Sequence, residues 1–438
     1  MNNVETGIMS TSSPKNLYQL TTIILILGLI GTTYLYIDTK SSLNTALEAN
    51  SETQLELSHL TESYDQLSEE LQALIDSNTE LEARISELEL ENKTSEPTVV
   101  VETPEVILSI DVEGEVRNII LLIGDGMGPG QLTAAEIENG EDILAILKLP
   151  YMSMVSTESY SNYVTDSTAS ATALATGYKT RNGVISLGPS GETLTTVVEV
   201  AEEHDLSTGI VSNTRVSHAT PAAFLSHVNS RNQESLIAEQ VLSSGVDVVL
   251  GGGSLYFSSL DPSGAGYTVV ETSGELMDTE SGMILGLFAT GYMSYEHDRD
   301  PEVEPSLAEM TRKSIQLLSS DPEGFFLMVE GGRIDHASHD NDFDTTMSEV
   351  YAFDLAVLEA LEFASGRNDT LVIVTADHET GGLLITGRYP GGEPRYNWIS
   401  DDHTGSMVPV LAYGPKAEAV LGFTDNTDIG SFLVNLFN

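Results

Sequence analysis

Cysteine is absent from all 438 residues, which excludes disulfide bonds and thiolate metal sites and leaves any metal to nitrogen and oxygen donors. Basic residues are scarce too. Only 18 Lys and Arg face 67 Asp and Glu, giving a formal net charge of -49, and such a surface repels nucleic acid and anionic lipid headgroups. No nucleic acid is expected as a partner. The same surface suits a salty medium, where counterions screen its self-repulsion. Apolar residues make up 40% of the chain, enough to bury a real core.

What is present falls into successive segments. LYQLTTIILILGLIGTTYLYI, Leu17 to Ile37, is about twenty residues without a charge, the length that crosses a bilayer. Tyr18, Tyr34 and Tyr36 fall toward its ends, as interfacial aromatic residues do. No small-x-small cleavage site follows, so residues 17–37 are expected to form an uncleaved transmembrane helix. Residues 1–16 would then lie in the cytoplasm and the long acidic remainder outside the cell or in the periplasm.

From Leu43 to Leu88 a heptad repeat runs unbroken, with Leu43, Asn50, Leu57, Tyr64, Leu71, Asn78 and Ile85 at its a positions. The alternating three-and-four spacing predicts a coiled-coil stalk over 41–92. Asn at two a positions favours a parallel, in-register homodimer, because a buried amide pairs with its twin. Residues 93–115, with Pro97 and Pro104, read as an extended linker.

From residue 116 to 438, apolar runs alternate with helical stretches. The runs are VRNIILLIG, STGIVSN, VDVVLGGG, GFFLMVEG, TLVIVTAD and VPVLAYG, and the helices include Thr193 to His204, Ser306 to Leu318 and Asp344 to Ala364. Runs apolar throughout imply strands buried on both faces. The expected class is therefore α/β, a mostly parallel sheet flanked by helices. Ligands of such folds gather at the carboxyl ends of the strands.

Acids and histidines cluster at those ends. GDGMG puts Asp125 after its strand; VEGGRIDHASH supplies Glu330 and then Asp335 and His339, four apart on one helical face. TADHETGG adds Asp377 and His378, and DDHTGS adds His403. Each alone has a structural explanation, as a turn residue or a chance spacing. Together they offer ligands for two or three ions, and a pair of metals about 4 Å apart can clamp both oxygens of an in-line phosphoryl transfer.

Such chemistry needs a nucleophile. YVTDSTASATALATG, Tyr163 to Gly177, sets Asp166 directly before Ser167 at the head of a run of small residues. One reading is a capped helix N-terminus that packs closely. The other is a nucleophile held where free amides and the helix dipole receive a phosphate. In the second reading Asp166 also holds a guanidinium that grips two phosphate oxygens. Arg231, in HVNSR, is the candidate.

Taken together, GDGMG, VTDSTASATALATG, HATPAAF, VEGGRIDHASH, TADHETGG and DDHTGS, in this order from about Val116 onward, resemble the alkaline phosphatase family. The resemblance implies a phosphomonoesterase that takes small phosphate monoesters at alkaline pH through a phosphoserine on Ser167. It implies that Arg231 binds phosphate with Asp166 behind it. It implies two zinc ions and one magnesium per chain: one zinc on Asp335, His339 and His403, the other on Asp125, Asp377 and His378, and the magnesium on Asp125, Thr220 and Glu330.

Departures from the family pattern are specific. His218 stands where some members have Asp, and His336 where some have Lys or Trp, so both are expected in a shell outside the ions. The stretch from Gly387 to Ser400 is short for the crown insertion of larger members. Two rivals differ in what they need. A diesterase of this superfamily usually carries Thr as its nucleophile, and a stalk protein with an inert head would have lost ligands.

Overall fold

A computed structural model describes Gly28, Leu29, Val106, Leu108, Ser109 and residues 112–437, except 141–142 and 390–393. The expected transmembrane helix apart from Gly28 and Leu29, the stalk, and most of the linker lie outside the described residues. No described helix is long and apolar enough to cross a membrane. The chain divides into two compact units, Met1–Thr103 and Pro104–Asn438, and every element below belongs to the second.

Its strands are β1 (Asn118–Gly124), β2 (Tyr151–Val155), β3 (Ser207–Arg215), β4 (Val248–Gly252), β5 (Thr268–Val270), β6 (Ile284–Leu287), β7 (Phe325–Gly331), β8 (Thr370–Thr375), β9 (Glu379–Thr380), β10 (Leu384–Arg388), β11 (Pro394–Asn397), β12 (His403–Thr404) and β13 (Val408–Tyr413). Nine make one sheet in the order β2-β13-β8-β1-β7-β3-β4-β6-β5. Every residue of β1, β7 and β8 is buried. Both faces of these central strands are therefore covered, as their unbroken apolar runs require.

The final run, VPVLAYG, departs from the parallel pattern. As β13 it pairs antiparallel with both β8 and β2. Between β8 and β13 the described residues form only β9 to β12, with no helix among them to carry the chain back to the other end of the sheet. A parallel neighbour needs such a crossover, so the strand re-enters in reverse.

The helices that matter for the site are α1 (Pro129–Asn139), α2 (Ser167–Thr176), α3 (Val197–Glu203), α4 (Ala219–Leu225), α5 (Leu307–Leu318), α6 (Arg333–His339), α7 (Phe343–Ala364) and α8 (Asn426–Leu436). Helix α3 starts later than the apolar spacing predicts. Leu194 donates its amide to Ser186 and Thr193 bridges Leu187, so that stretch is extended until Thr196 and Glu199 form a capping box.

All ten residues of α2 are buried. Its small side chains let α8 approach until a Cβ at Gly430 would lie 2.2 Å from the Ala173 carbonyl oxygen. Register aligns the functional ends: Ile123 of β1 stands opposite Glu330 of β7 and Thr375 of β8. Asp125, Glu330 and Asp377 thus emerge from three neighbouring strands at the same level.

Candidate active site

Among the described residues, three clusters of nitrogen and oxygen atoms form where those strands end. They are Asp335, His339 and His403; Asp125, Asp377 and His378; and Asp125, His218 and Glu330, the potential ligand atoms within each lying no more than 4.8 Å apart. Asp125 belongs to two of them. The clusters therefore adjoin.

In the first cluster the imidazoles are oriented from behind. His339 Nδ1 lies 2.7 Å from the Asp401 carbonyl oxygen, and His403 Nδ1 lies 2.9 Å from that of Thr165. Carbonyls only accept, so both Nδ1 atoms carry the proton and both Nε2 lone pairs point forward. His339 Nε2 and His403 Nε2 stand 3.3 and 3.6 Å from Asp335 Oδ1.

The second cluster is fully enclosed. His378 Nε2 is 3.3 Å from Asp125 Oδ1 and 3.3 Å from Asp377 Oδ2. Burial, then the His403 and His339 rings, holds the His378 pKa well below its ordinary 6.5, which keeps the ring neutral and able to ligate. Burial first, and then the charge of Asp377, raises Asp125 well above the usual carboxylate range. Asp377 is pushed up to about 8 by burial and then by Asp335.

Such crowding of carboxyl groups has a plain physical meaning. Asp125 Oδ1 and Oδ2, Asp377 Oδ2, Glu330 Oε1, Thr220 Oγ1 and His218 Nδ1 are all buried and make no hydrogen bond. A buried polar atom left unsatisfied costs about 1–3 kcal/mol, more when charged. Divalent cations remove that cost, and mixed nitrogen and oxygen donors without sulfur suit zinc and magnesium. The residues fit the metals that the resemblance implies.

His218 lies with Asp125 and Glu330 in the third cluster, and Arg231 Nη2 lies 2.9 Å from its Nε2. Thr220, two residues on in α4, is fully buried with Glu330 as its neighbour. Among the described residues, His336 joins no such cluster. Its Nδ1 takes a hydrogen bond from Arg333 Nη1 at 2.7 Å, and its ring packs on Tyr292 with centroids 4.4 Å apart.

Ser167 opens α2, and its Oγ is 3.2 Å from His378 Nε2. Asp166 caps the helix that Ser167 opens, accepting from the Ala169 amide at 3.0 Å, and it also takes the Gly183 amide at 2.8 Å and the Thr168 hydroxyl. Arg231 Nη1 lies 3.6 Å from the same carboxylate, an ion pair rather than a hydrogen bond. One side chain thus caps the helix and faces the guanidinium.

Two residues at the site carry no motif signal of their own. Thr380 sits inside TADHETGG, where His378 draws the eye, and its hydroxyl reaches Asp335 Oδ1 at 2.5 Å. Tyr292 comes from a loop without any signature, yet Arg215 stacks 4.0 Å over its ring and Arg333 stands 5.3 Å away.

Comparison with known proteins agrees with this geometry. The alkaline phosphatase family model matches residues 116–398. Alkaline phosphatase 4 of Bacillus subtilis is 34% identical over 412 residues, covering 74% of this chain and 89% of the relative. The cold-active alkaline phosphatase of a psychrophilic Shewanella superposes with a TM-score of 0.68 at 32% identity, over 73% of this chain and all of the other. A histidine-to-aspartate mutant of the TAB5 alkaline phosphatase, which holds magnesium in its M3 site, superposes with a TM-score of 0.68 at 29% identity, over 75% of this chain and 99% of the other.

Proposed function

The chain belongs to the alkaline phosphatase family, and from that premise we propose that it hydrolyses small phosphate monoesters through a phosphoserine on Ser167. The observation that carries this reading is the approach of Ser167 Oγ to His378 Nε2 at 3.2 Å, at the start of a capped helix and beside orphaned carboxylates. With a cation bound there, the serine hydroxyl would have a lowered pKa, so that no histidine base would be needed.

The chain's own residues divide the work. Arg231 grips two oxygens of the phosphate, and Asp166 limits where the guanidinium swings. Ser167 Oγ gives its proton to solvent and bonds to phosphorus as the bond to the ester oxygen breaks, and the alcohol leaves with a proton from solvent. Water then attacks the phosphoserine on the face the alcohol vacated. The serine hydroxyl is restored and inorganic phosphate departs.

Asp335, His339 and His403 would hold one zinc ion, and Asp125, Asp377 and His378 the second. Asp125, Thr220 and Glu330 would hold magnesium with His218 beside it. Bound ions supply Lewis acidity, lowering the pKa of hydroxyl and water and neutralising the phosphate dianion.

We also infer that residues 17–37 anchor the chain, that 41–92 pair it into a parallel dimer, and that the catalytic unit is displayed outside the cell or in the periplasm. The uncharged run and the unbroken heptads support this. Protease accessibility of the catalytic unit on intact cells tests it, and resistance until lysis would refute display.

The hydrolytic reading is tested by Ser167→Ala. Turnover of a chromogenic phosphate ester is expected to fall by about three orders of magnitude or more, with no phosphate left on the protein after acid quench. Retention of most of the activity would overturn the assignment.

A further inference from the structure

The two zinc-type clusters differ in how their imidazoles are held. His339 and His403 each give Nδ1 to a backbone carbonyl. His378, whose ring also interacts with the Glu379 backbone, has a side chain beside it: Thr380 Oγ1 lies 3.2 Å from its Nδ1 and 2.5 Å from Asp335 Oδ1.

A hydroxyl has one proton to give. The shorter contact, to a carboxylate, takes it, because a charged acceptor makes the stronger bond. Thr380 Oγ1 is then left with lone pairs facing His378 Nδ1, and only an Nδ1–H can satisfy them. That tautomer turns the Nε2 lone pair toward Ser167 Oγ, Asp125 and Asp377. A lone pair in that position can accept from the Ser167 hydroxyl or ligate a cation among the carboxylate oxygens.

The location of Thr380 reinforces this role. It is fully buried, pairs across β9 and β12 with His403, and donates its amide to Gly126, next to Asp125. A Cβ at Gly126 would come within 2.8 Å of the threonine hydroxyl, so GDGMG needs glycine there to admit it. One side chain touches the strand ends that supply both clusters.

We propose that Thr380 is a positioning residue: its hydroxyl links Asp335 of one metal cluster to His378 of the other and fixes the His378 tautomer that ligates. The inference rests on the metal assignment above. It is separable from it, since wild-type zinc binding tests the assignment and the Thr380 variants test the link.

Zinc affinity is to be measured on the full chain by competition with a chromogenic chelator, for wild type, Thr380→Ser and Thr380→Val. Loss of a partner behind a ligand typically costs 10- to 100-fold, so Thr380→Val should weaken zinc by about tenfold or more, and Thr380→Ser by less than about threefold. Equal loss in both variants would assign the effect to methyl packing and overturn the proposal, as would unchanged affinity in Thr380→Val. A second readout needs no variant. Ring 15N shifts of His378 in the zinc-bound wild type should report a proton on Nδ1, and a proton on Nε2 would overturn the proposal even if Thr380→Val failed to fold.

Discussion

His339 Nε2 and His403 Nε2 face one another across 3.1 Å, with neither Nδ1 free to give up its proton to the other ring. Two lone pairs directed at each other and at Asp335 repel unless a cation lies among them. Binding such a cation stabilises the folded chain, since the unfolded chain has no preformed site.

Chelation should therefore lower the melting temperature of the catalytic unit, and zinc should restore it in a concentration-dependent way. At a hundredfold excess over its dissociation constant, one such ion adds about 2.7 kcal/mol. Differential scanning calorimetry across a zinc titration checks this. A melting temperature indifferent to both chelator and zinc would contradict the metal assignment.

The double duty of Asp166 can be separated by two substitutions. Asp166→Asn keeps a capping oxygen while removing the charge that faces Arg231; Asp166→Ala removes both. The alanine variant should lose about 1 kcal/mol of stability and the asparagine variant little of it. Both should bind inorganic phosphate differently from wild type, because Arg231 loses its anchor. Denaturant melts and phosphate inhibition constants provide the two measurements, and equal destabilisation by both variants would refute the cap.

His227 should make stability depend on pH away from the metal site. Its Nε2 is 3.0 Å from Glu199 Oε1 and its Nδ1 is 2.8 Å from the Ser186 carbonyl. The hydrogen bond to Glu199 raises the His227 pKa above its ordinary 6.5, against the effect of burial. Burial would raise Glu199, but the hydrogen bonds from His227 and Thr196, with the charge of His227, together outweigh it and lower that carboxyl below 4.5. The histidine contribution is complete below its unfolded pKa and is lost as pH rises through the folded one; the glutamate contribution is complete above its unfolded pKa and is lost on acidification. The pair thus stabilises most between pH 4.5 and 6.5. His227→Gln should cost about 0.5–1 kcal/mol in that window, for a pair so partly exposed, and less at alkaline pH. Denaturant melts at pH 5.5 and 8.5 compare the two regimes, and a cost that grows toward alkaline pH would be the wrong sign.

Gly430→Ala tests the close packing of α8 on α2. The added methyl would lie 2.2 Å from the Ala173 carbonyl oxygen and 2.4 Å from the Gly177 nitrogen, all backbone that cannot swing aside. Overpacking of this kind costs about 1–3 kcal/mol. Because α2 carries Ser167, turnover should fall with stability. A variant as stable and active as wild type would show that the two helices can separate without cost.

Much of the fold was legible because the strands advertise their burial. NIILLIG and FFLMVEG are apolar on both faces, and the acids begin where the apolar residues stop. The reversal of β13 was not legible, since direction depends on whether a crossover intervenes, and the stretch between β8 and β13 carries no helical period. His218 was legible as a site residue but not as a neighbour of Glu330, because distance between α4 and β7 is decided by packing. Tyr292 left no trace at all, as an aromatic residue in a loop has no period to betray it.

By itself the sequence determined which chemistry was possible: with no thiol, an excess of carboxylates and a handful of histidines, it restricts metal ligands to nitrogen and oxygen. Tertiary structure alone decided which of those atoms share an ion, and which face of each imidazole looks toward it. The reason is that a ring's tautomer depends on what lies behind it. For His378 that partner is Thr380, and for His339 and His403 it is carbonyls that folding brings from distant turns.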